Sequence, residues 1–313
     1  MSEATSEPKR ALSEGEIGVA LAIGAHLVWG GMAFYFGLLR HISPVEIAVN
    51  RGLWSLPVAA LIVSLLGQWA DVRRAMANPR IVITLAFCSF IIVFNWGFYV
   101  WSIMVGRTLD SSLGYFINPL MNVVMGYLFL GERFTRPQQV ALALAAAAVL
   151  VQTIAAGVFP WLGLMLGGTF CLYGFLRKTI PVGPTQGFFI EVSIIAIPLL
   201  LAQGWLMQHG MNHFGVTAKD SLMLIGCGVM TASALMLFAG SVRRIRYSTA
   251  GLLQYLSPSL VFLTAVFVFH EPIGGWKLFS FALIWLALII FSISAARDER
   301  NRRAAENLAE DPV

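Results

Sequence analysis

Charge is scarce in this chain. Asp, Glu, Lys and Arg make up 12% of its 313 residues, where a soluble domain carries about 25% to keep its surface wet. Most of the molecular surface must therefore face something other than water. Cysteine is scarce too: Cys88, Cys171 and Cys227 are far apart and each sits in an apolar run, which excludes metal-type spacing and a disulfide framework. The net charge of +5 comes from basic residues in ones to threes between apolar runs. No stripe interleaves them with solvent-facing aromatics, so nucleic acid is excluded as a partner. The first sixteen residues are polar and lack an apolar leader core, so no cleaved signal peptide is expected. His-Glu-x-x-His, Gly-x-Ser-x-Gly and the Walker lysine are all missing, which argues against an enzyme and against direct ATP driving. No cofactor or metal is expected. His209 and His213 are four apart, but in a polar loop without acidic or cysteine partners.

What the chain has is apolar length: 58% of residues belong to the AVILMFWYC set. A helix crossing the hydrocarbon needs about 20 mostly apolar residues, and ten segments approach that. The first five are Ile17–Gly37, Pro44–Leu66, Arg80–Ile103, Thr108–Leu130 and Gln138–Ala156. The second five are Pro160–Leu176, Pro184–Gln203, Lys219–Ser241, Ser248–His270 and Gly275–Ala296. Helix is the expected state, because open sheet edges cannot be satisfied in lipid. Sixteen of the 21 Lys and Arg fall in the tails and alternate loops, four (Arg40, Arg107, Lys219 and Lys277) in the opposite loops, and Arg51 within a span. The positive-inside rule then places both termini in the cytoplasm. Asp71–Met76 reads as a short interfacial helix, and the charged run from Arg297 to Val313 as solvated or disordered chain.

The chain also repeats itself. Pro119 precedes Glu132 by thirteen residues, as Pro258 precedes Glu271, both at an offset of 139; Pro44 with Arg51 is matched by Pro184 with Glu191 at an offset of 140. Tyr35–Arg40 and Tyr173–Arg177 are parallel aromatic-then-basic stretches. Five spans per half is an odd number, so the second half must be inverted. The expected fold is an all-α membrane protein of ten transmembrane helices in two inverted five-helix repeats, the layout of many secondary transporters. Its divisions are a tail at 1–16, repeats at 17–158 and 159–296, and a charged tail at 297–313.

Ser112-Leu113-Gly114-Tyr115-Phe116-Ile117-Asn118-Pro119, Gly131-Glu132-Arg133-Phe134 and Asn95-Trp96 resemble the RarD-type members of the EamA family, in the drug/metabolite transporter superfamily. The resemblance runs over roughly residues 17 to 296. It implies a bacterial inner-membrane carrier of amino acids, metabolites or drugs. The chain departs from the pattern at His270, where a glycine usually precedes the second glutamate, and at Ala234, where proline is usual.

The candidate site follows from depth. Pro119 and Pro258 lie about 15 Å into their spans, and each leaves a carbonyl four residues earlier, on Tyr115 and Gln254, without its donor. These carbonyls could serve a solute or mark structural kinks only. Tyr115, Asn118 and Asn122 share one helix face, with Gln254 and Ser257 matching the first two in the ninth span, beside Tyr255. Asn95, Trp96 and Tyr99, with Trp101 near the interface, would give an aromatic wall with polar groups, and Tyr173 is assigned to the same cavity. Arg51 and Glu191 are intramembrane charges, which usually face a cavity or a partner. Arg51 could hold a carboxylate and Glu191 an amine or a proton, or the two could form a structural pair locking the halves. Glu132 and Glu271 read as structural, favouring the N-termini of the following helices. The expected function is a secondary carrier of a small amphipathic solute, working by alternating access through a cavity lined by the third, fourth, eighth and ninth spans. Expected partners are that solute, the lipid bilayer, a proton and, as an open option, a second copy of the chain. An integral-membrane enzyme and a non-transporting receptor or assembly subunit are the alternatives.

Overall fold

The computed structural model describes residues 13–104, 108–157, 159–268 and 274–310. Arg107, His270 and Glu271 lie outside them. Every element is a helix: α1 (Glu14–Gly37), α2 (Pro44–Leu65), α3 (Trp69–Met76), α4 (Pro79–Met104), α5 (Thr108–Leu130) and α6 (Arg136–Ala156) come first. The second half gives α7 (Trp161–Thr179), α8 (Pro184–Gln208), α9 (Ala218–Arg244), α10 (Tyr247–Leu253), α11 (Leu256–Phe267) and α12 (Gly275–Glu310).

The boundaries follow local chemistry. Ser13 and Glu16 form a capping box on α1, Ser43 caps α2 with Pro44 at its first turn, and Thr217 caps α9. Gly157 closes α6 at φ +67°, a conformation glycine adopts at little cost. Asp71–Met76 forms the amphipathic α3, two residues longer than expected. The glycine-interrupted sixth span forms α7 because two of its glycines admit α5. A Cβ at Gly167 would lie 3.2 Å from the Asn118 backbone nitrogen, and one at Gly168 would lie 3.3 Å from Met121 Cε.

Three expectations need correction. The ninth span is broken, with α10 ending before Gln254 and α11 starting after Tyr255. The run after Arg297 continues α12 to Glu310, because its Ala, Arg and Glu are good helix formers; Gln138 holds it near its start by donating to Asp298 at 2.9 Å. Arg177 and Lys178, counted as loop charges, belong to the last turn of α7.

Six helices among the described residues are long and apolar enough to cross a bilayer: α1, α2, α4, α6, α8 and α9. Their outward faces carry exposed Leu61, Leu65, Ile83, Phe90, Leu150, Ile154, Ile197 and Leu201. A soluble monomer rarely shows so large an apolar surface.

The principal helix pairings map onto themselves when the two halves are exchanged. α1 packs on α9 as α7 packs on α4, α2 on α9 as α8 on α4, and α5 on α7 as α11 on α1. The pairs α2–α8, α5–α10 and α6–α12 join equivalent helices. The detail repeats as well. Gly30 faces Leu260 across α1–α11, and Gly168 faces Met121 across α7–α5.

Candidate functional site

Seven residues into α2, about 10 Å from its start, Arg51 reaches into the bundle. Its Nε donates to Thr231 Oγ1 of α9 at 3.1 Å, and its guanidinium lies 4.6 Å from the centre of the Trp96 ring on α4. Tyr99 and Tyr115 are within electrostatic reach, their rings edge to face at 6.1 Å. No carboxylate among the described residues pairs with Arg51. A desolvated cation over an indole gains about 2 kcal/mol, well short of what its charge loses by leaving water. Tyr115 is 52% exposed beside it. Trp96 also lines a mainly apolar hollow of about 330 Å³ with Val49, Val93, Trp101 and Leu199.

Further along α5, Asn118 Nδ2 donates to Gln254 Oε1 at 2.8 Å. Asn118 Oδ1, Gln254 Nε2 and both amide atoms of Asn122 are buried with no protein partner among the described residues. Orphaned buried amides cost about 1–3 kcal/mol each unless something meets them. Gly251 lets α10 approach closely: a Cβ there would sit 2.7 Å from Asn122 Cβ and 3.0 Å from the Pro119 carbonyl. The expected free carbonyl on Gln254 is corrected. Pro258 removes its ordinary donor, but Ser257 N donates to it at 3.1 Å, and bonds of the same three-residue span from Gln254 N and Tyr255 N carry the chain through the break. α5, by contrast, runs unbroken through Pro119. Tyr255 is fully buried, its hydroxyl donating to the Phe116 carbonyl at 2.9 Å.

Other candidates are engaged elsewhere. Glu191 does not meet Arg51. Its carboxylate lies 3.4 Å from Arg177 Nη1 and accepts from the Tyr173 hydroxyl at 3.1 Å, and all three residues are buried. Arg177 also donates to the Pro184 carbonyl. Asn95 gives its amide hydrogens to Leu166 O and Thr169 Oγ1, both at 2.8 Å, tying α4 to α7. Glu132 caps α10 of the other half rather than the following helix. Its carboxylate accepts from Tyr247 N at 2.5 Å, from Ser248 N at 3.0 Å and from the Ser248 hydroxyl, while Gln138 serves the start of α6.

At that same end of the bundle, Lys178 donates to the Val242 and Ile245 carbonyls, Arg243 to those of Ile180 and Val182, and Arg246 to Arg133 O. The opposite end is joined by Glu46, which accepts from His213 Nδ1 at 2.8 Å and from the His213 and Phe214 amides, and by His41 on Asp220 at 2.9 Å. Residue spacing did not reveal Arg177, Thr231 or Glu46. Arg177 ends a helix one turn after Tyr173, and its burial depends on a rotation that one sequence leaves open.

The apolar outer belt and the helical bundle define a multi-pass membrane protein. Residues 16–154 match the EamA-like transporter family. Protein RarD of Salmonella typhi is 36% identical over 286 residues, covering 91% of this chain and 97% of the relative. An uncharacterized transporter of Vibrio cholerae is 37% identical over 289 residues, covering 92% and 96%. The chloramphenicol-sensitive protein RarD of Pseudomonas aeruginosa is 30% identical over 284 residues, covering 90% and 95%. A solved crystal structure shares the fold over 91% of this chain and 100% of its own, with a TM-score of 0.71 at 15% identity. The chain belongs to the RarD-like EamA family of membrane transporters, within the drug/metabolite superfamily.

Proposed function

We propose that the chain is a secondary carrier of ten spans, two inverted repeats at 17–158 and 159–296, seated in the bacterial inner membrane with both termini cytoplasmic. α10 and α11 together make the ninth span and α3 lies at the interface. The exchangeable helix pairings and the mirrored glycine contacts support the inverted repeat. The 16 to 4 division of basic residues supports the orientation.

The observation that carries the reading is Arg51. An intramembrane cation with no counter-charge among the described residues, stacked on Trp96 and flanked by Tyr99 and Tyr115, suits a small amphipathic solute with a negative end and a flat apolar body. Asn118, Asn122 and Gln254 form the floor beneath it, where α5 meets α10. Alternating access would part this floor on one side while the loop ends close on the other.

The test is counterflow in proteoliposomes with a panel of amino acids, aromatic carboxylates and chloramphenicol, the last chosen from the Pseudomonas relative's name. Wild-type protein is expected to exchange at least one solute. Arg51→Ala should lower that flux about tenfold or more, the effect of losing a charge-assisted contact of 1.5–3 kcal/mol, while the protein still purifies as a monodisperse species. Unaltered exchange of every solute by Arg51→Ala would remove the site.

A further inference from the structure

One ionisable group takes no part in the site above. His26 lies twelve residues into α1, about 18 Å along the helix and so at mid-membrane on the proposed topology. It is 1% exposed. Its Nδ1 is 3.0 Å from the Ser257 hydroxyl, at the first turn of α11 just past the break, and the same hydroxyl donates to the His26 carbonyl at 3.2 Å. Nε2 is buried without a partner among the described residues. Trp29 stands at 5.2 Å and Phe238 at 6.3 Å, ring centre to ring centre.

Taking the Ser257 hydroxyl as donor to the His26 carbonyl sets the hydrogen count. Ser257 has one hydroxyl hydrogen, and a neutral imidazole has one N–H. With the serine hydrogen on the carbonyl, Nδ1 must carry the ring hydrogen and donate it to Ser257. Nε2 is then a bare lone pair, the basic end of the ring, aimed at no donor.

We propose that His26 Nε2 is a proton-binding site, and that its protonation loosens α11 from α1. A hydronium ion gives up its proton to the Nε2 lone pair and leaves as water; no other bond changes. The resulting imidazolium keeps its Nδ1–H on Ser257 but has a second N–H with no acceptor in the closed seam. The aromatic faces ease the charge without satisfying that hydrogen, so the charged form favours an arrangement in which the seam parts. The next turn of this seam is the close approach of Gly30 and Leu260, so α11 must move as a unit. The corresponding seam between α7 and α5 sets Gly167 and Gly168 against Asn118 and Met121, with Asn118 in the place of Ser257 and Leu164 in the place of His26.

Among the described residues, no charged group of the surrounding helices pairs with His26. On α1, Glu14 pairs with Arg244, Glu16 caps the first turn and Tyr35 donates to the Met223 carbonyl. On α9, Asp220 and Arg243 lie at opposite ends, while Cys227 packs with Leu39, Ile42 and Leu224. On α10 and at the break, Tyr247 donates to Cys171 O and Tyr255 to Phe116 O. His26 is thus a switch independent of Arg51; the carrier reading gives the switch a use but is not required for its existence.

The test is hydrogen–deuterium exchange of the full-length protein in liposomes, at about pH 8 and about pH 5.5, either side of the ordinary imidazole range. After correction for intrinsic rates, amides of 256–267 should exchange about threefold or more faster at the lower pH in the wild type, as a local opening would make them. His26→Gln should remove that difference, and Ser257→Ala should show the faster exchange at both values. An unchanged pH response in His26→Gln overturns the proposal. If His26→Gln does not fold, a full acid-dependent change surviving in Ser257→Ala overturns it instead, and loss of that change supports it. The counterflow assay on Arg51 reads a different residue and a different quantity, so either idea can fail alone.

Discussion

Two buried charges that look alike in the sequence have opposite fates. Arg51 and Glu191 both lie seven residues into a span that begins with proline. Arg51 finds an indole and a hydroxyl, whereas Glu191 finds Arg177 and Tyr173. Removing one partner of a buried ion pair strands the other and costs about 3–5 kcal/mol, while replacing both with apolar groups of similar size is often neutral. Glu191→Gln should therefore lower the melting temperature of the purified protein sharply, and Glu191→Leu combined with Arg177→Met should regain most of the loss; equal melting for single and double variants would contradict the pairing. Spacing was enough to place both residues inside apolar helices. It could not choose their partners, because the rotation of each helix is set by packing between elements. For the same reason Asn95 read as a cavity amide although its hydrogens serve α7.

At the scale of elements, the helices were legible because each follows a long apolar run, and their ends were legible wherever Ser, Pro or Gly punctuates them. The break in the ninth span was not. Pro119 and Pro258 occupy the same register, yet only the second accompanies a broken helix. The difference lies in what surrounds them: α10 is seven residues long and depends on a cap from the other half. Glu132→Ala should cost about 1–2 kcal/mol, the loss of a charged cap at a helix start. The expected readout is faster exchange confined to amides of 247–253, checked by the same mass-spectrometric method. Exchange that rises instead at the start of α6 would return Glu132 to its sequence-based role.

For the whole molecule, the proposed inversion places α1 and α12 so that both chain ends meet the cytoplasm. Alkaline phosphatase fused after Val313 should be inactive and a fluorescent protein at the same point bright, while phosphatase inserted in the α8–α9 loop near Met211 should be active; the reverse pattern would refute the orientation. The expectation of a repeat came from four matched positions, because inverted copies place equivalent residues at mirrored depths. What it could not supply was the contact of His26 with Ser257 at one seam, where the other sets glycines against Asn118 and Met121.

The mirrored glycine contacts carry one more implication. If the Gly30–Leu260 and Gly168–Met121 seams are halves of an inverted pair, parting one and parting the other lead to mirror-related arrangements. Without a coupled energy source such a molecule has no built-in valve, and cargo would run down its gradient in either direction. Import and export would then be two directions of one reversible exchange, chosen by whichever concentration and acidity differences the cell maintains.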